Sequence, residues 1–424
     1  MNANRKCLAK LSQNDATTAA ARHETLYSGR VGGGRAVFAF CDLTGLDLSG
    51  RNLADADFTG AVLEEINLSG ARLDSANFFG ADLRRANLTQ ASMRRVDLRG
   101  ACLRGANMAG ADLFEADLRE GTIAEKDKYG NLHFLQHDLG PTELPYTVLN
   151  SANLERAKMN GAVAFQADFT DAMMRGCRLI RANLHMACLA GANLENADLS
   201  GCNLAGAVMT DAVLVGTKLD YAVLDGADLT QALTSNPAAV EPEDLPMSID
   251  DMLDAHARWA ETDGREGTPA DLTNVDLRNV ASLGTRQLTA LIAPGAILYG
   301  LDLEGVSLQG SNLQGADLRS IRLAGADLRG VNLSGAKLAR ADLHDARLGP
   351  LMLPDNRLLP ARLEGASARY ADFRGADLRG ASLKGADFAY ANLLGANLRD
   401  TDTTDAQLGG AKMLHPEKEE PVPA

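Results

Sequence analysis

Three places in the 424-residue chain put side chains that could do chemistry near one another. His133, His137 and Asp138 offer imidazole and carboxylate ligands of the kind that hold zinc. Two histidines four residues apart share a face only on a helix, and Gly130 and Gly140 mark this stretch as a loop, so solvated loop histidines are the plainer expectation. His256 stands three residues before Trp259, the one tryptophan of the chain. The pair suits either a binding anchor or the staple of a capping helix, since indole combines a large apolar body with one polar handle. Arg30 and Arg35 flank VGGG (31–34). Their charge would suit a phosphate, but no strand-to-helix phosphate loop follows, and a hinge is expected instead. The sequence has no nucleophile elbow, no HExxH and no paired carboxylates set in a pocket. The expectation is therefore no enzyme, no cofactor and no metal.

The elements that must carry these residues follow from the stretch GADLRGASLKGADFAYANLLGANLRD (375–400). Leu378, Leu383, Phe388, Leu393 and Leu398 recur every five residues, each two residues after an alanine. Calling the large apolar position the centre, centres run from Leu43 to Ile123 and from Leu149 to Leu229. They recur at Leu272 and Leu277, and again from Leu298 to Met413, about sixty in all. On a helix, five residues advance about 140° beyond a full turn and would spread the leucines over every face. On a long strand, an odd period would send alternate leucines to opposite faces. A short strand with a corner satisfies the beat. Alanine and centre point inward, the Asp or Asn between them points outward, and the last two residues turn the chain. Four such sides close a square coil of about 20 residues, stacked at the ~4.8 Å strand spacing. Phe58 and Phe78, twenty residues apart, should then stack. The intervening Asp or Asn should bond nearby backbone at the corner.

The A-(D/N)-L-x-x tandem resembles the pentapeptide-repeat family over roughly three quarters of the chain. That resemblance implies an all-β fold, a right-handed quadrilateral β-helix, whose hand no spacing argument supplies. Some family members resist quinolones by binding DNA gyrase through an acidic, DNA-like rod.

Interruptions divide the solenoid. Residues 1–40 read as an N-terminal arm or cap, and 41–234 as a β-helix interrupted by an insert at 124–146 that forms a hairpin or loop. Residues 235–271 read as an acidic linker containing an amphipathic helix, 249–262, capped by Ser248 and Asp251. A second β-helix follows over 272–413, with a short helix expected at 286–293 behind Thr285 and a disordered tail at 414–424. LGPLMLPDNRLLPA (348–361) keeps the five-residue phase but carries three prolines, so one or two repeats there should bulge outward.

The formal charge of −14 invites a comparison with DNA, but its distribution does not support one. More than half the excess lies in 235–271, which carries ten acidic and two basic residues, whereas 298–413 balances fourteen against fourteen. The six cysteines include no C-x-x-C, and Cys41, Cys177 and Cys202 occupy the small alanine slot. Residues 1–40 lack an apolar signal core, and no run approaches membrane-spanning length, so a cytoplasmic protein without membrane contact is expected.

The leading expectation is a non-enzymatic scaffold that binds another protein along its faces. The alternatives are a gyrase-directed DNA mimic and a ligand or metal sensor working through the 124–146 insert. Direct nucleic-acid binding is not expected. The candidate partner surface combines Tyr370 and Tyr390 in one outward corner slot, Arg379 and Arg399 in a second, and Arg374 and Leu394 in a third. His256 and Trp259 are the candidate helix anchor.

Overall fold

The beat folds the chain into stacked coils with four short sides. In this computed structural model, residues 8–121, 124–126, 132–134 and 140–413 are described. Each side lies parallel to the same side of the next coil, and the usual step is twenty residues, as in Val37 with Asp57 and Asp57 with Asn77. Main-chain bonds running in both directions join each pair of sides. Leu43 N–H donates to the Val62 carbonyl at 2.8 Å, and Val62 N–H to the Cys41 carbonyl at 2.9 Å. The corner closes through a further bond within the coil, as where Ala56 N–H donates to the Leu53 carbonyl at 3.1 Å.

Burial alternates along every side. Ala56 and Phe58 are fully buried while Asp57 between them faces outward, and this pattern repeats through both cores. Rings stack down the axis: Phe58 lies 4.5 Å from Phe78 with planes 3° apart, and 5.0 Å from Phe38. The outward Asp or Asn accepts the N–H two residues on, as Asp57 Oδ1 does from Thr59 at 3.0 Å and Asn77 Oδ1 from Phe79 at 3.0 Å. The fifth residue of the repeat turns the chain with positive φ. Glycine often fills that slot, but Asp55, Tyr370 and Tyr390 also adopt φ near +60°.

The chain forms two compact units, Met1–Asn236 and Pro237–Ala424. The first opens with strand β1 (Ala9–Lys10), helix α1 (Gln13–Tyr27) and strand β2 (Cys41–Asp42), with β1 parallel to β2. Helix α1 was not anticipated within the 1–40 arm. Its start is a capping box between Ser12 and Asp15, and its buried face is Ala16, Ala20 and His23. It covers the leading edge of the first coil, where main-chain groups would otherwise stand unpaired. Gln13 closes a two-bond pair with Asp47, donating to its carbonyl at 2.7 Å and accepting its N–H at 2.8 Å. Glu24 accepts the Asn52 N–H at 3.2 Å.

Within the 124–146 insert, strands β3 (Ala124–Lys126) and β4 (Leu132–Phe134) pair antiparallel as a hairpin. The ladder resumes with Cys102 opposite Glu143, so the excursion adds 21 residues and shifts the phase by one. The unit ends with β5 (Val213–Leu214) parallel to β6 (Leu233–Thr234).

In the second unit Val240 pairs with Val275, and helix α2 (Ile249–Glu261) follows, N-capped by Ser248 and burying Ile249, Leu253, Ala255 and His256. No helix forms over 286–293. A 3-10 turn occupies Ala281–Thr285 instead, and the residues after it belong to the coil, with Ile292 opposite both Asp271 and Asn312. Leu288 and Leu291 are a centre and the following alanine slot of the repeat, both fully buried. Later, β7 (Leu351–Met352) and β8 (Leu358–Leu359) form an outward antiparallel hairpin. Asn332 then pairs with Arg362, thirty residues on, so the bulge uses two whole repeats and preserves the phase. Leu351 and Leu359 fold back over Gly330, where a Cβ would lie 2.8 Å from Leu351 Cβ.

Candidate interaction surface

The outward corner of the second unit carries a column of large side chains at the positive-φ slot: Arg340, Tyr370 and Tyr390. The tyrosine rings stack at 5.0 Å with planes 7° apart. The Arg340 guanidinium caps the Tyr370 ring at 4.8 Å, and Arg369 lies 5.8 Å and 5.9 Å from the two ring centres. Below them the Tyr390 ring covers Gly410, where a Cβ would approach a ring carbon at 2.5 Å. Tyr390 remains 47% exposed and Leu394 40% exposed, enough for both to meet a partner.

The surface is less basic than its sequence. Arg374 bonds Asp372 at 2.6 Å and Arg379 bonds Asp377 at 2.8 Å, each within its own repeat. The Arg379 guanidinium holds the Asp377 carboxyl below the usual carboxylate range, against the opposing effect of burial. At Asp372 burial pushes the carboxyl up, but the Arg374 side-chain and main-chain hydrogen bonds, with the charges of Arg374 and His344, together bring it below the usual range. Arg399 is exposed, with its N–H on Asn397 Oδ1 at 3.2 Å. The face is thus aromatic and apolar, bordered by internally neutralised Asp–Arg pairs.

The same D-L-R device recurs elsewhere. Arg99 bonds Asp97, Arg119 bonds Asp117, Arg319 bonds Asp317 and Arg329 bonds Asp327. Much of the acidic ladder is therefore matched one-to-one at the surface.

The other expected groups fall apart as sites. His256 is fully buried, accepts the Ala270 N–H through Nδ1 at 3.1 Å, and stacks on Trp259 at 5.6 Å. His256 is thus spent inside the cap of the second unit, while Trp259 stays half-buried. His133 lies on β4, and His137 and Asp138 lie outside the described residues. Among the described residues no group of three or more His, Cys, Asp or Glu could hold a metal ion. Cys177 and Cys202 are buried, and burial pushes the Cys202 thiol up to about 12. No described helix is long and apolar enough to cross a membrane.

Sequence spacing hid two participants. Arg340 stands thirty residues before Tyr370 because the β7–β8 hairpin intervenes, so a twenty-residue count misses it. His23 was missed along with helix α1, although Ser12, Asp15 and a stop at Gly29 were legible signals.

The ladder, the four-sided coil and the filled axis define a β-helical repeat protein. The Pentapeptide repeats family model matches residues 34–121, 146–231, 295–349 and 361–413 in overlapping segments. The chain belongs to the pentapeptide repeat family, whose members fold as right-handed quadrilateral β-helices. Solved structures of such proteins resemble it. One is a trypsin-treated variant of QnrB1, a plasmid-mediated fluoroquinolone resistance protein, at 16% identity over 48% of this chain and 93% of that one, with TM-score 0.30. A second is a pentapeptide repeat protein of the Arabidopsis thaliana thylakoid lumen, at 26% identity over 26% and 70%, with TM-score 0.21. A third is HetL, involved in heterocyst differentiation regulation in Nostoc sp. strain PCC 7120, at 24% identity over 93% and 94%, with TM-score 0.13. No curated protein matches the sequence.

Proposed function

We propose that the chain is a non-enzymatic scaffold whose repeat faces bind another protein, in two coil blocks joined through the acidic segment around α2. The observation that supports this reading most is the Tyr370–Tyr390 stack with exposed Leu394. Aromatic anchors with an apolar neighbour and a polar rim are the composition of protein interfaces. The coil interiors are filled by alanine and large apolar centres, which places any recognition on outward slots.

The local neutralisation of Asp82, Asp97, Asp117, Asp317, Asp327, Asp372 and Asp377 by arginines of their own repeats favours this reading over DNA mimicry. Such pairs present a fine alternation of sign, where a DNA mimic presents a continuous anionic stripe.

The test compares capture from cell extract by the intact protein and by a Tyr370→Ala, Tyr390→Ala, Leu394→Ser triple variant with unchanged circular dichroism. A partner retained by the intact chain and lost by the variant supports the surface. Equal recovery removes it. Protection or inhibition of gyrase supercoiling at micromolar protein would instead revive mimicry.

A further inference from the structure

Both units carry a helix histidine in the same place. In regular coils the alanine N–H at a corner donates to the carbonyl three residues back, as Ala61 does to Phe58 at 3.0 Å. At the first corner of unit one, the acceptor is His23 Nδ1, which takes the Ala36 N–H at 3.0 Å. The opposite nitrogen, Nε2, meets the Ala54 carbonyl at 2.8 Å. In a regular coil, the carbonyl in the Ala54 slot takes a main-chain N–H from the coil above, as the Glu64 carbonyl takes that of Gly45 at 2.9 Å. His23 is fully buried between these groups. Its ring therefore replaces one peptide group, with one acceptor and one donor, where the first coil has no predecessor.

Unit two repeats the arrangement. His256, also fully buried, accepts the Ala270 N–H through Nδ1 at 3.1 Å. Its Nε2 faces the backbone of Thr289, three residues before Ile292, without closing a hydrogen bond. Ala54 stands three residues before Asp57 in the matching slot, since Val37 pairs with Asp57 and Asp271 with Ile292.

We infer that His23 and His256 are proton-operated latches, which hold the helical caps on the first coil of each unit only as neutral imidazoles. A main-chain N–H can only donate, so Nδ1 must stay unprotonated and the ring proton must sit on Nε2. Adding a proton places N–H against N–H and leaves the alanine amide without its acceptor. The cap then releases the coil edge beneath it, where Gln13 holds Asp47 and Glu24 holds Asn52. A bared edge of this kind is a template for strand pairing.

The surroundings do not supply a counter-charge that would make the cation welcome in unit two. Burial pushes the His256 imidazole down. Asp250 and Asp254 on its helix are tied to Arg286, Asp251 bonds Ser248, Asp263 pairs with Arg265, and Asp271 bonds Thr273; Arg258, Glu261 and Glu266 complete the ionisable side chains of 249–271 besides His256 itself. Around His23, Tyr27 donates to the Asp55 carboxylate, Arg35 donates to the Asp55 main-chain carbonyl, Glu24 pairs with Arg51, and Arg22 lies toward Gly34.

The test uses the full chain. Nitrogen shifts of the imidazoles report the tautomer, and hydrogen exchange reports protection at Ala36 and Ala270 relative to Phe78, a mid-coil amide bonded to Asp97. The expected result is the Nε2–H form at pH 7.5. The relative protection of both alanines should fall by about tenfold or more by pH 5, as each amide loses its imidazole acceptor. His23→Gln with His256→Gln keeps one donor and one acceptor without a titrating group, and should abolish that fall. A constant ratio in the native protein, an equal fall in the glutamine variant, or an Nδ1–H tautomer at pH 7.5 would overturn the inference. If the variant does not fold, the tautomer and the native ratio decide it alone.

Discussion

Phe78 and Phe79 are adjacent, identical in type and opposite in direction. Phe78 is fully buried on the coil axis, with its ring 4.5 Å from Phe58. Phe79 points outward, with Arg99 over its ring at 5.2 Å. Phe78→Ala removes a buried ring and leaves a cavity, a loss of about 3–5 kcal/mol that includes the stacked pair. Phe79→Ala removes a partly solvated ring and one cation–π contact, about 1 kcal/mol. Solenoid repeats couple mainly to their neighbours, so the damage should concentrate in the coils around residue 78. Hydrogen exchange read over peptides spanning 53–103 measures this directly. A loss near 4 kcal/mol lowers protection about a thousandfold, whereas 1 kcal/mol lowers it about fivefold. Equal losses from the two substitutions would refute the assignment of inside and outside on which the account rests.

Two further outcomes follow from the same geometry. Gly330→Ala should destabilise more than Gly335→Ala in urea unfolding. Both glycines have positive φ, costing about 1 kcal/mol with a side chain, but only at Gly330 does the new methyl meet Leu351 and Leu359. Acid should weaken the coils. The depressed carboxyls of Asp377, Asp372 and Asp117 contribute stability that is present above their unfolded value, near 3.9. That contribution is lost as pH falls through the folded values, so thermal melts should move down further as pH drops below about 4.

The coil was legible because its signal is redundant. Some sixty repeats impose the same inward alanine and centre, and a single imperfect repeat such as Cys177-Arg178-Leu179 does not disturb the count. Phase carried the insertions as well. The 124–146 insert betrayed itself by a one-residue shift, while the β7–β8 hairpin kept phase and was visible only through its prolines. What the sequence hid lay at the ends and on the surface. Helix α1 has weak amphipathic patterning because it covers a coil end with alanines and one histidine instead of a broad leucine face. The 286–293 helix is absent because that stretch continues the coil, with Ile292 laddered to Asp271 and Asn312. Arg374 and Arg379 looked free because sequence does not show a guanidinium folding back onto the Asp two positions earlier.

The claim that matters most is that recognition resides on the tyrosine column. Site-specific photo-cross-linking tests it most directly, with a benzophenone amino acid placed at Tyr390 or, as a control, at exposed Arg72 of the first unit. In native extract, the account predicts one discrete protein adduct from position 390 and none of that mass from position 72. An adduct from 72 alone, or the same adduct from both positions, would contradict it.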